Sequence, residues 1–225
     1  HIFTSRCIRS YYPVRTLSFA VDYWFWGLDP WGFKLTNCLI HLTNVLLVFW
    51  LVLRLFDRPD SICSTASKGW DLSVATFSAG LFAVHPTVVE PVTWVSGREE
   101  LLMTLGALAS VHFYVIGRRL GRQGAPTRET LPYYTAATFC CGAACLSNAV
   151  AAVIPCLIVA SDLLTLTRPK FRKIFYSTSA LWVIAIATVV IKKLGSDSDL
   201  VANHVGAFSV QRLALVLNVY RLNIT

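Results

Sequence analysis

Long apolar runs recur along this chain, and alternate connections between them collect basic residues. Residues 36–53 read TNCLIHLTNVLLVFWLVL, without a formal charge, and comparable runs occupy 72–89, 101–117, 132–164 (paired) and 176–191. A helix needs about 20 mainly apolar residues to cross a bilayer core. In lipid, only helices and closed barrels satisfy every backbone polar group. The pattern therefore predicts an integral membrane protein built of helices. Composition agrees: 55% of the 225 residues are hydrophobic and 14% charged, against roughly 25% charged in soluble domains. The runs are too many, and none sits at the N-terminus, so a signal peptide does not explain them.

Residues 1–32 read as an external segment. Tyr23, Trp24, Trp26 and Trp31 form an interfacial aromatic belt there. A helix lying in the interface is expected over 13–26, followed by a turn at Gly27-Leu28-Asp29-Pro30. Membrane helices are expected at Phe33–Leu55, Leu72–Val84, Glu99–Ile116, 132–146, 149–164 and 176–191, with a truncated seventh from Gln211. The second stops at His85-Pro86, because proline cannot continue the hydrogen-bond ladder. A short surface segment, 86–97, follows it, and a tight hairpin at Leu146-Ser147-Asn148 joins the fourth and fifth. The expected fold class is all-α: a polytopic transmembrane bundle of about six full helices, with 1–225 as one membrane domain and 33–225 as the bundle. The chain begins at His1, its sole methionine is Met103, and it stops within LALVLNVYRLNIT, so it reads as incomplete at both ends.

Charge sets the orientation. The connections 56–70, 117–131 and 165–175 should share one side, and they hold Arg58, Lys68, Arg118, Arg119, Arg122, Arg128, Arg168, Lys170, Arg172 and Lys173. Positive charge marks that side as cytoplasmic, which accounts for the net charge of +8 without nucleic acid as a partner. Arg6, Arg9, Arg15, Arg98, Lys192 and Lys193 fall on the opposite side. They either snorkel to lipid phosphates or bind an anionic group. Cys38, Cys140, Cys141, Cys145 and Cys156 lie in apolar runs, where cysteine acts as a small hydrophobe. No metal site is expected.

The densest polar constellation is HPTVVEPVTWVSGREELL, residues 85–102, with His85, Glu90, Trp94, Arg98, Glu99 and Glu100. Ionisable groups at membrane depth are costly and mark functional sites. Glu90 could position or deprotonate a hydroxyl, and Arg98 could hold a phosphate bidentately. Alternatively the two pair with each other and pin the loop. His41 and His112 read as makers of interhelical hydrogen bonds, Asp162 as facing headgroups or capping its helix, and Asp29 as a turn residue. Asp22 is a further possible site carboxylate. Phosphate-loop, HExxH and GxSxG motifs are absent from the sequence. A transporter reading is weakened because the ionisable residues gather at one face instead of the midplane.

Three stretches occur in order: YYPVRTLSFAVDYWFWGLDPWGFKLTNCLIHLTNVLL (11–47), LFAVHPTVVEPVTWVSGREELL (81–102) and CLSNAVAAVIPCLIVASDLL (145–164). Together they resemble the membrane domain of the transmembrane-and-tetratricopeptide-repeat glycosyltransferases, which are similar to protein O-mannosyltransferases of the GT-C class. The resemblance implies transfer of a sugar, typically mannose, from a polyprenyl- or dolichyl-phosphate to serine or threonine hydroxyls outside the cytoplasm. The implied partners are the bilayer, the lipid-phosphate-linked sugar and an acceptor protein, with no tightly bound cofactor. Arg15 and Arg98 match family arginines and are implied to bind the donor phosphate. His85, Glu90 and Trp94 would line the same cavity, with Glu90 a candidate catalytic group. The family's catalytic acidic pair would lie upstream of His1. The family reads Leu-Ser-Lys-Glu where this chain has Leu146-Ser147-Asn148-Ala149. That departure and the missing pair leave open a second reading, an inactive membrane scaffold derived from the same fold. The WVSGREELL form resembles bacterial members more than animal ones, which implies a bacterial inner membrane; in a eukaryote the endoplasmic reticulum is implied.

Overall fold

A computed structural model describes residues 12–56, 66–165 and 178–190, and every regular element among them is helical. Helix α1 spans Pro13–Trp26, α2 Pro30–Phe56, α3 Ala66–Val84, α4 Pro86–Thr93, α5 Arg98–Arg122, α6 Thr127–Ser147 and α7 Ile154–Thr165. A short apolar helix, α8, covers Thr178–Val190. Single 3₁₀ segments at Val95–Gly97 and Ala149–Val153 lead into α5 and α7.

Local chemistry explains most boundaries. Pro13 starts α1 and Pro86 starts α4, where a missing N–H costs nothing. Gly27 ends α1 at φ +61°, a conformation glycine adopts without strain. Asp29 Oδ1 accepts from the Trp31 N–H at 3.0 Å as α2 begins, the turn role expected of it. Three boundaries differ from expectation: α3 begins at Ala66 and not Leu72, α6 begins at Thr127 and not 132, and α5 ends later than Ile116. Helix α5 does not stop at Ile116 but runs through GRRLGR to Arg122, because arginine and leucine are good helix formers and no proline intervenes before Pro126. The basic loop thus shrinks to residues 123–126.

Among the described residues, Pro30–Leu55 and Val95–Arg122 are long and apolar enough to cross a membrane. The pair Asp71–Val84 and Pro86–Thr93, bent by 55°, makes a third crossing if it is one broken span. About six spans were expected. Helix α6 is long enough, but its tyrosines, threonines and proline dilute its hydropathy, and the apolar helices Ala149–Asp162 and Thr178–Val190 are short. The run from Gln211 lies outside the described residues.

Polarity is arranged inside out relative to a soluble domain. Leu39, Leu42, Leu46, Trp50, Phe77 and Leu81 are exposed, while Asn37, Asn44, Arg98, Ser110 and Asp162 are buried. Lipid tolerates the first set and penalises unpaired members of the second. The core lies where α5 meets α6. Small residues let those backbones approach: Ser110 Oγ donates to Ala137 O at 2.8 Å, and Gly106 faces Ala144 and the Cys140 carbonyl.

Candidate functional site

One end of the bundle gathers α1, the start of α2, the end of α3, all of α4 and the start of α5. The α3–α4 break creates the local problem this end must solve. Helix α3 ends at Val84 and α4 at Thr93, so carbonyls around these two helix ends lack helical donors. A polar stripe on α2 supplies replacements. His41 Nε2 donates to Ala83 O at 3.2 Å, and Asn37 Nδ2 to Trp94 O at 3.1 Å and Pro91 O at 3.4 Å. Farther along the stripe, Asn44 Nδ2 donates to Leu101 O at 3.1 Å. The interhelical bond expected of His41 is therefore present. His112 makes none among the described residues, and its Nδ1 is buried without a partner.

Arg98 opens α5 and is fully buried. A buried guanidinium persists only when its charge and its donors are matched, and here each nitrogen is engaged. Nε donates to Asn37 Oδ1 at 2.7 Å, Nη2 to Phe33 O at 2.8 Å, and Nη1 pairs with Asp22 Oδ2 at 2.5 Å. The Phe19 and Phe33 rings lie 4.6 and 5.7 Å from its centre. Asp22 is itself buried, and its other oxygen accepts from the Thr36 hydroxyl at 3.0 Å. The expected Glu90–Arg98 alternative is thus replaced by Asp22–Arg98, a brace joining α1, α2 and α5. In this arrangement Arg98 has no free face for a phosphate.

Arg15 is different. Its Nη1 donates to Glu99 Oε2 at 2.6 Å, its carbon centre lies 4.8 Å over the Tyr12 ring, and its side chain keeps 26% exposure. Nε and Nη2 have no partner among the described residues, so the fork retains open donors. Glu90 is exposed, and no hydrogen bond or ion pair occupies its carboxylate among the described residues. Trp94 is 63% exposed. His85 Nδ1 accepts from the Thr87 N–H at 3.4 Å and lies 2.7 Å from the Thr87 hydroxyl, capping α4. All five expected site residues therefore sit at one end of the bundle, although no contact joins Glu90 to either arginine.

Beside them runs a groove of about 380 Å³, bounded by α2, the α3–α4 break, α5 and the Ala149–Val153 turn. Asn44, Glu100 and Asn148 are among its polar lining residues.

Sequence reasoning missed Asp22 as the partner of Arg98 and the structural work of Asn37 and Asn44. A signal existed for the last two: Asn37, His41 and Asn44 recur at helical spacing within an uncharged span. At the opposite end, Asp162 does not face headgroups. It is buried, accepts from Tyr114 Oη at 2.8 Å and pairs with Arg118 Nε at 3.3 Å. No group of three or more His, Cys, Asp and Glu side chains able to hold a metal occurs among the described residues.

No family model matches the chain, and no solved structure matches it. Curated relatives do. The chain is 37% identical over 128 residues to Protein O-mannosyl-transferase Tmtc3 of Drosophila melanogaster, which covers 53% of this chain and 14% of the relative. It is 30% identical over 197 residues to Protein O-mannosyl-transferase F38B6.6 of Caenorhabditis elegans, covering 80% and 27%. It is 29% identical over 170 residues to TMTC2 of Mus musculus, covering 74% and 18%. The match thus spans less than a third of each of these relatives. All three are animal proteins, and the expectation of a bacterial inner membrane finds no support in them. By sequence, the chain is related to the TMTC family of protein O-mannosyl-transferases.

Proposed function

We propose that the complete protein is a membrane glycosyltransferase. It moves a sugar, mannose by analogy with its relatives' names, from a polyprenyl- or dolichyl-phosphate to serine or threonine hydroxyls of an acceptor protein. Its setting is the endoplasmic reticulum membrane, with the reacting groups on the non-cytoplasmic side of a GT-C-like bundle of about six spans. In the transfer, the acceptor oxygen bonds to the sugar's anomeric carbon, the bond to the lipid phosphate breaks, and a carboxylate takes the hydroxyl proton. The acidic pair that does this would precede His1, and Glu90 is the candidate within this segment. His85 and Trp94 line the approach on α4.

The observation that carries this reading is Arg15: a half-buried guanidinium with unused donors, on an aromatic helix at one end of the bundle. Such a group suits a lipid phosphate. Arg98, enclosed by Asp22, Asn37 and Phe33 O, holds the helices that present it. The relatives' names favour the transferase over the scaffold.

The test uses the full-length protein. Arg15→Ala should lower transfer from a polyprenyl-phosphate mannose by about tenfold at limiting donor, the usual scale for one charged hydrogen-bonding partner. Unchanged turnover at limiting donor, with normal expression, removes Arg15 from the site.

A further inference from the structure

Arg15 carries a carboxylate with it. Glu99 Oε2 accepts from its Nη1 at 2.6 Å, and the two side chains keep 26% and 20% exposure. The Tyr12 ring covers one face of the guanidinium at 4.8 Å. The edge bearing Nε and Nη2 remains, and such an edge fits one phosphate bidentately. Other charges at this end are spent or stand apart. Asp22 neutralises Arg98 inside the bundle. Asp29, Lys34, Glu90 and Glu100 are exposed, and none of them bonds to Arg15 among the described residues. Among those residues, Glu99 is thus the one carboxylate bonded to Arg15.

The proposed transfer changes the charge that Arg15 would hold. A sugar joined to a lipid phosphate is a phosphodiester with one negative charge. When the bond between the anomeric carbon and its oxygen breaks, that oxygen stays on phosphorus with the electron pair, and the acceptor's proton goes to a base. The spent carrier is a monoester, whose second proton is lost at about pH 6, giving it a second charge. Arg15 unopposed would hold this product more tightly than the donor. A carboxylate bonded to the same guanidinium repels each phosphate charge, and so opposes the product twice over. We propose that Glu99, given Arg15 as the phosphate contact, sets the charge selectivity of this site: it holds down affinity for the doubly charged carrier, which leaves after transfer.

The test is titration calorimetry of the full-length protein in a non-ionic detergent at about pH 8, where a monoester is doubly charged. The probes are farnesyl phosphate, a monoester, and farnesyl methyl phosphate, a diester. Glu99→Gln keeps an oxygen that accepts from Nη1 and removes the charge. Screening at a part-exposed pair leaves a repulsion of about fivefold in affinity per phosphate charge. Glu99→Gln should therefore tighten the diester about fivefold and the monoester about 25-fold, moving their ratio about fivefold. Glu99→Ala should move the ratio alike, even where loss of the hydrogen bond weakens both probes. Glu100→Gln removes a neighbouring charge that is not bonded to Arg15, and should move the ratio by less than about twofold. An unchanged ratio in both Glu99 variants overturns the proposal. So does an equal shift in Glu100→Gln, which would make selectivity a property of the surface's overall charge. Arg15→Ala should weaken both probes about tenfold. If it does while the Glu99 variants leave the ratio unchanged, the phosphate contact stands and the role of Glu99 falls. If it weakens neither probe, both fall.

Discussion

At the residue scale, the chain's most consequential pair is Asp22 with Arg98, both buried. Removing one member of a buried pair strands the other charge, whereas replacing both with apolar groups is often neutral. Asp22→Ala should therefore cost about 3–5 kcal/mol, measured as denaturant unfolding in micelles. The double variant Asp22→Leu with Arg98→Met should recover most of that loss. A small effect of Asp22→Ala would mean that Arg98 is solvated and free to bind an anion. Arg98 was legible in the sequence as a charge that its surroundings must explain. Its partner was not, because Glu90 is the nearer carboxylate along the chain and Asp22 becomes its neighbour only after α1 folds back on α2 and α5. Asp162 went unread for the same reason: Tyr114 and Arg118 lie on another helix.

At the element scale, helices and their ends follow from short-range chemistry. The stop at His85-Pro86, the helix from Pro13 and the turn at Gly27 appear where prolines and glycine place them. Helix pairing is a separate matter, set by small residues. A Cβ added at Gly106 would lie 2.8 Å from the Ala144 Cβ and 2.9 Å from the Cys140 carbonyl oxygen. A backbone oxygen cannot yield cheaply, so α5 and α6 must part. Gly106→Ala should destabilise the bundle by about 1–3 kcal/mol, seen as a lowered thermal unfolding midpoint in detergent. Gly80→Ala is the control, since a Cβ there meets nothing within 4 Å. Equal midpoints for the two would show that α5 and α6 do not pack as closely as described.

At the scale of the whole molecule, alternate helix ends lie at opposite ends of the bundle, and this carries the topology. Residues 123–126 join α5 to α6 at the end away from α1 and α4. With Arg118, Arg119, Arg122 and Arg128 around it, that connection should face the cytoplasm. In a background with all seven cysteines replaced by alanine, Gln123→Cys should react with an impermeant thiol reagent only after the cytoplasmic face is opened. Ser96→Cys, in the turn before α5, should react from the other side. Labelling of both from one side would overturn the orientation. The sequence by itself determined that the chain is helical, where most helices start and stop, and which residues gather at the α4 end. Those properties depend on hydropathy, proline and charge within one or two turns. Only the tertiary structure decided which charges are spent on one another. It set Arg98 against Asp22, left donors open on Arg15, and tied Asn44 Nδ2 to Leu101 O. Pairing across helices depends on which faces meet, and no local pattern encodes that.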